Sequence, residues 1–189
     1  VNHINAYLMD LDDVWIETNK KQISGAPKIC KGSQPTGNFD VTEEERRMLQ
    51  DKYPEVMPYI RRFVGATEFI NGTLRYCFWL KDAPISIVRK CPWLMERIDA
   101  ICNQRLASTK ASTRKKAERP MLFDEDRQPD SDYMIIPRHS SGRREYIPIG
   151  FMSKDVICGD PNQLIPNALH HLSGQLGSPH EGRTVTVVG

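Results

Sequence analysis

No apolar run in this 189-residue chain approaches the ~20 consecutive residues that a helix needs to cross a bilayer. The N-terminus also lacks the basic-then-apolar layout of a secretion signal, so no membrane partner and a cytoplasmic location are expected. Cysteine is sparse and unordered. The five residues Cys30, Cys77, Cys91, Cys102 and Cys158 form no C-x-x-C pair and sit among apolar neighbours, so they read as small buried thiols and not as a zinc site.

Catalytic signatures are missing as well. There is no G-x-x-x-x-G-K-[ST] and no G-x-G-x-x-G after a strand, which argues against nucleotide chemistry. His170, His171 and His180 lie in a Gly/Pro-rich end without H-E-x-x-H spacing and read as solvated loop histidines. Asp130 followed by Glu145 faintly resembles a metal-dependent nuclease core, yet Ile147 stands where that core needs lysine. The N-P-P-[YF] and D-P-P-[YF] motifs with which amino-methylating enzymes hold a flipped base are absent too. No acid, base or nucleophile set can be assembled, so the chain is expected to be non-catalytic and to hold no metal or cofactor of its own.

What is present is an ordinary globular composition with its charge sorted along the chain. Hydrophobic residues make up 39% and charged residues 26%, enough for a real core, and the net charge of +2 decides little. Between Arg105 and Arg119 the cations Arg105, Lys110, Arg114, Lys115, Lys116 and Arg119 face only Glu118, whereas Glu43, Glu44 and Glu45 form an acidic block. With Ser108, Thr109, Ser112 and Thr113 interleaved, this run suits phosphate oxygens; Arg105, Lys110, Arg114, Lys115 and Lys116 are the expected contacts. An ordinary solvated helix face is the competing interpretation.

The most informative stretch runs from Asp130 to Met152. Two apolar strand-like segments flank a polar loop that carries Arg138, His139, Arg143, Arg144 and Glu145. Arginine can make paired bonds to guanine O6 and N7, and a glutamate can accept from cytosine N4, so these five residues are the candidates for reading base edges. A solvated hairpin turn with a local salt bridge is the alternative.

Elsewhere, Thr42 with Glu45 makes a capping box for a helix running to about Lys52, assisted by acids at its positive end. Val56, Ile60, Phe63 and Val64 recur at helical spacing with Gly65 as a stop. Asn71-Gly72 between strand formers predicts a hairpin. Leu94, Ile98, Ile101 and Leu106 give a helical stripe from about Pro92, and the sequence stays helix-compatible as one long basic helix, or two, up to Pro120. Strands are expected at Tyr133 to Pro137, Glu145 to Phe151 and Val156 to Cys158, followed by Leu164-Ile165, with Pro137 and Pro148 placing them at an edge or a bulge. A short strand is also expected around Val14 to Ile16. Trp79, Trp93, Tyr76 and Phe78, inside apolar runs, are expected in the core and not as base-stacking platforms. The fold class is therefore α+β: helices and a hairpin packed with a small antiparallel sheet.

Three separated motifs then carry a resemblance. H-I-N-A-Y-L near the start, R-R-F-V-G-A-T-E-F-I-N-G-T-L-R-Y-C-F-W-L in the middle and R-Q-P-D-S-D-Y-M-I-I-P-R-H-S-S-G-R-R-E-Y-I-P-I-G-F later closely resemble the target recognition domain of MmeI-like type IIL restriction-modification enzymes. The resemblance covers about Asn2 to Ala168, and implies a recognition domain over residues 1–168 with an irregular tail over 169–189 that departs from the family. It further implies sequence-specific recognition of double-stranded DNA beside adenine-N6 methyltransferase and nuclease domains on the same polypeptide. S-adenosylmethionine and a divalent metal would belong to those upstream domains, and the opening V-N-H-I-N-A-Y-L-M reads as a junction with them. A protein-interaction or scaffold module docking against sister domains is the competing class.

Overall fold

The computed structural model describes residues 28–140, 144 and 147–168 and the backbone of 184–185. Two sheets share the described strands. Strands β1 (Cys30–Lys31), β5 (Tyr133–Pro137), β6 (Ile149–Met152), β8 (Asn162–Pro166) and β9 (Thr184–Val185) form an antiparallel sheet in the order β1-β8-β5-β6-β9. The other holds β2 (Asp40–Val41), β3 (Ile60–Val64), β4 (Tyr76–Phe78) and β7 (Ile157–Cys158) in the order β2-β4-β3-β7, with β3 and β7 parallel. Helices α1 (Glu43–Lys52), α2 (Ala66–Asn71), α3 (Ile85–Arg89), α4 (Pro92–Leu106) and α5 (Ala111–Lys115) complete an α+β architecture.

The helix start at Thr42 is as its chemistry demands. The Thr42 hydroxyl accepts from the Glu45 N–H at 3.2 Å, the Glu45 carboxylate accepts from the Thr42 N–H at 2.9 Å, and α1 ends at Lys52. Strand β5 also matches its expected bounds, with Tyr133, Ile135 and Pro137 on the buried face.

Several local expectations are corrected. The segment after Pro54 is a short 3-10 turn to Tyr59, and Ile60–Val64 is then a central strand of the smaller sheet. Pro58 explains this, since it removes an amide an α-helix would need. Asn71-Gly72 is no hairpin turn: Gly72, at φ 68°, stops α2 in the left-handed conformation, and β3 and β4 pair antiparallel across that helix. A hairpin turn and a helix stop both ask for positive φ, so the dipeptide alone does not separate them. Strand β5 is interior and not an edge; Pro137 lies at its end, beyond the last residue paired with β6. Of the two alternatives for the stretch from Pro92 to Pro120, one long helix or two, the structure has two, with a corner at Ala107 to Lys110 and a closing 3-10 turn (Lys116–Glu118). Thr184–Val185 pair with β6, which the expectation of a wholly irregular tail did not include. The expected strand around Val14, and His170, His171 and His180, lie outside the described residues.

The larger core gathers Phe39, Leu49, Phe63, Phe78, Trp79, Leu94, Ile98 and Ile157, and a smaller one gathers Val64, Tyr133, Ile135, Cys158 and Leu164. Trp79 and Phe78 are buried, while Trp93 packs on Phe78 with ring centroids 5.3 Å apart, as core aromatics should. Half-buried Tyr76 packs against the larger core and carries Arg46 over its ring. Cys77, Cys91 and Cys158 are buried free thiols, whereas Cys30 and Cys102 are half-buried. Desolvation raises the thiol pKa of Cys77 and Cys91 and pushes Cys158 up to about 12. Only thiolate attacks an alkylating reagent. Iodoacetamide on the native protein at pH 8 should therefore label Cys30 and Cys102 first by mass spectrometry; labelling of Cys158 without unfolding would contradict this packing.

Candidate nucleic-acid interface

The two sheets meet at a junction built from close backbone approach. Following β7, the Gly159 N–H donates to the Val64 carbonyl at 3.0 Å, and the buried Asn162 side chain donates to the same oxygen at 3.0 Å. Ser33 donates its N–H to the Cys158 carbonyl at 2.7 Å, and the Asp160 N–H donates back to the Ser33 carbonyl at 3.0 Å. A Cβ on Gly32 would lie 2.5 Å from the Gly159 carbonyl atoms, and one on Gly159 would lie 2.1 Å from the Phe63 ring. Both positions require glycine for space, not for an unusual φ.

The polar loop leaves the larger sheet beside this junction. Arg138 directly follows β5; its N–H donates to the Pro161 carbonyl at 3.1 Å and its Nη2 donates to Asp160 Oδ1 at 2.6 Å. His139 and Arg144 are exposed. Arg143 and Glu145 lie outside the described residues. Ile149 resumes the sheet as β6, with Ile135 opposite Gly150, so both ends of the loop are fastened to interior strands. Next to it a cleft of about 350 Å³ is lined by Gln34, Pro35, Thr67, Glu68, Asp160 and Pro161 among others. Gln34 and Thr67 are exposed there, and nothing in their local sequence marked them.

The basic run divides sharply. Arg105 is not a surface cation: it is 1% exposed, and its guanidinium donates to the carbonyls of Thr36 (2.9 Å), Lys116 (3.0 Å), Arg119 (3.0 Å) and Leu122 (2.7 Å). Its expected phosphate role is therefore withdrawn. The physical reason is helical phase. Leu94, Ile98, Ile101 and Arg105 share the buried face of α4, while Leu106, assigned to that face from the sequence, is 54% exposed. Lys116 is half-buried and paired with Asp124 at 2.7 Å. Arg114 is exposed, but its Nη1 donates to the Ser108 and Thr109 carbonyls, both at 2.8 Å, bracing the corner between α4 and α5. Lys110 and Lys115 are exposed on α5 and its N-terminal cap.

Among the described residues no hydrogen bond or ion pair joins Lys110 or Lys115 to Arg138, His139 or Arg144. The Lys31–Asn38 segment is what connects the two regions: Ser33 bonds Asp160, and Thr36 bonds Arg105. A further cleft of about 360 Å³, lined by Trp79, Lys81, Lys116, Phe123, Asp124 and Asp126 among others, has its lysines engaged, Lys81 with Asp126 and Lys116 with Asp124, each at 2.7 Å. No group of three or more His, Cys, Asp or Glu side chains among the described residues could hold a metal ion.

Strands β5 and β6 of this α+β domain thus hold the two ends of a loop on which Arg138, His139 and Arg144, all hydrogen-bond donors, are exposed. The chain belongs to the family described as MmeI, target recognition domain, whose model matches residues 10–179, continuing past Ala168. It is 36% identical over 180 residues to DNA methyltransferase A of Bacillus subtilis (strain 168), an alignment covering 94% of this chain and 20% of that protein. Its fold is also similar to that of the type IIL restriction-modification enzyme MmeI solved in complex with DNA, at TM-score 0.77 and 41% identity, covering 94% of this chain and 24% of that one. The chain thus spans about a fifth to a quarter of the length of these relatives.

Proposed function

We propose that this chain selects the DNA sequence at which partner domains of the same polypeptide act, and that it performs no chemistry itself. The observation that carries this reading is the loop beginning at Arg138, whose ends join interior strands and on which Arg138, His139 and Arg144 are each exposed. Arg143 and Glu145, on the same loop by sequence, complete the proposed set of base readers. Lys110, Lys115 and the exposed part of Arg114 are the proposed phosphate contacts, with Lys116 secondary because Asp124 already holds it. Family membership supports the reading, since a relative of the same fold was solved on DNA.

The partner domains would be an adenine-N6 methyltransferase and a nuclease, carrying S-adenosylmethionine and a divalent metal. Residues 1–168 would form the recognition unit. Among the described residues no helix is long and apolar enough to cross a membrane; a cytoplasmic location beside DNA is part of the proposal. Flipping an adenine out of a duplex costs a few kcal/mol, and base-specific contacts offset that cost only at the right site.

The test is retardation of a random-sequence duplex at low salt, followed by selection of bound sequences. Binding with a reproducible sequence preference is expected, and no retardation at all would favour a docking module. Lys110→Ala with Lys115→Ala should weaken binding to every sequence alike and lower the salt slope by close to one unit per lost contact. Arg144→Ala should instead relax the base choice at one position. An unchanged salt slope removes the two lysines from the interface, and an unchanged preference removes Arg144 from the readers.

A further inference from the structure

The loop of Gly159 to Pro161 does more than join two sheets. Asp160 projects from a backbone tied on several sides: its own N–H is bonded to Ser33, the Gly159 N–H to Val64, and the Asn162 N–H to the Gly159 carbonyl at 3.0 Å. The chain also passes close to Gly32 and Phe63 here, since a Cβ on Gly32 would meet the Gly159 carbonyl and one on Gly159 would meet the Phe63 ring. Asp160 therefore offers its carboxylate from a fixed point. Arg138 meets it through Nη2 alone, at 2.6 Å, and the Arg138 backbone is held to Pro161 of the same loop. Among the described residues the guanidinium gives one of its N–H donors to Asp160 and none to another acceptor. Both side chains remain partly open, at 31% for Arg138 and 23% for Asp160.

A flexible arginine loses rotamer freedom when it grips a base, and a carboxylate that has already fixed the fork removes part of that loss. The carboxylate also offsets the positive charge, which makes the arginine a poorer general phosphate binder and leaves its directional donors for the paired acceptors of guanine. We propose that Asp160 is a positioning residue that sets Arg138 to read a guanine in the major groove. The inference rests on the reading of the Arg138 loop as DNA-facing, and extends the set of specificity residues to the loop between β7 and β8.

The experiment is sequence selection from a random duplex pool with the full chain, run on the parent, Arg138→Ala, Asp160→Ala and Asp160→Asn, with thermal midpoints measured alongside. Arg138→Ala and Asp160→Ala should each cut the guanine preference at the same single position by roughly tenfold. Asp160→Asn keeps an acceptor oxygen of the same shape and should restore most of that preference. If Arg138→Ala leaves every position unchanged, the base-reading role of Arg138 itself fails, and the inference with it. If Arg138→Ala relaxes one position while Asp160→Ala, folded by its thermal midpoint, does not, the positioning role fails and the reading of the loop stands. Uniform weakening at all positions by either alanine variant would make the pair a phosphate contact and overturn the proposal.

Discussion

Replacing Arg105 with methionine is expected to destabilise the protein by about 4 kcal/mol, although methionine fills a comparable volume and no salt bridge is lost. Four backbone carbonyls accept from this one guanidinium. Removing a buried ionic group is often harmless when its partners leave too. Here they cannot leave, because the acceptors are main chain. The carbonyls of Lys116 and Arg119 would still accept from the Arg119 and Leu122 N–H groups, but those of Thr36 and Leu122 would lose this donor, and unmet acceptors cost roughly 1–3 kcal/mol each before relaxation. Arg105→Lys should recover little, since a compact ammonium cannot span the four positions that a planar fork reaches. The measurement is the thermal midpoint, expected to fall by roughly 10 °C for a domain of this size. A methionine variant as stable as the parent would show that packing, not hydrogen bonding, is what Arg105 contributes. The consequence reaches the proposed interface, because Arg105 ties the 3-10 turn after α5 to α4 and to the Lys31–Asn38 segment.

The second large effect is expected at Gly159. A methyl group there would sit 2.1 Å from Phe63 Cζ and 2.7 Å from Cε1, far inside van der Waals contact. The ring cannot swing aside freely, for Phe123 lies at 6.4 Å on one side and the Arg75 guanidinium stacks over it at 4.8 Å. Arg75 is itself held by Asp40 at 2.8 and 3.0 Å and by Glu68 at 3.5 Å. Gly159→Ala should therefore cost about 3 kcal/mol, at the upper end of overpacking in cores. Phe63→Leu in the same chain should return part of that loss, so the double variant is expected to be more stable than the sum of the singles predicts. Strict additivity between the two substitutions would mean that the clash is not with Phe63.

The comparison of sequence and structure turns on a few residues. Thr42 and Glu45 were legible because a capping box is a bond between near neighbours, complete without the rest of the fold. Strand β5 was legible because Tyr133 to Pro137 is a short apolar run between polar segments, and which of its residues face the core, Tyr133, Ile135 and Pro137, came from the structure. Ile60–Val64 is a strand where the sequence suggests a helix, since apolar spacing in a short window suits both and only Pro58 speaks against the helix. Asn71-Gly72 was read as a turn because its left-handed geometry also ends a helix, and Glu68, bonded to the Gly65 N–H at 2.9 Å, was the neglected sign of a helix start. Arg105 was counted with the cations by charge, when its spacing from Ile101 already placed it on the apolar face.

Within the candidate site the same division holds. That Arg138, His139, Arg143, Arg144 and Glu145 share a loop between two strands follows from the order of residues, as does the concentration of cations before Pro120. Local chemistry is enough for such statements, because hydrogen-bond donors, turn formers and alternating apolar residues act on their neighbours along the chain. Which cations face solvent, the pairing of Arg138 with Asp160, and the glycine-lined crossing of the sheets were decided only by the tertiary structure. The last two join residues 22 positions apart (Arg138 and Asp160) to 127 apart (Gly32 and Gly159), and burial of an arginine or the space for a methyl group depends on what arrives from elsewhere in the fold.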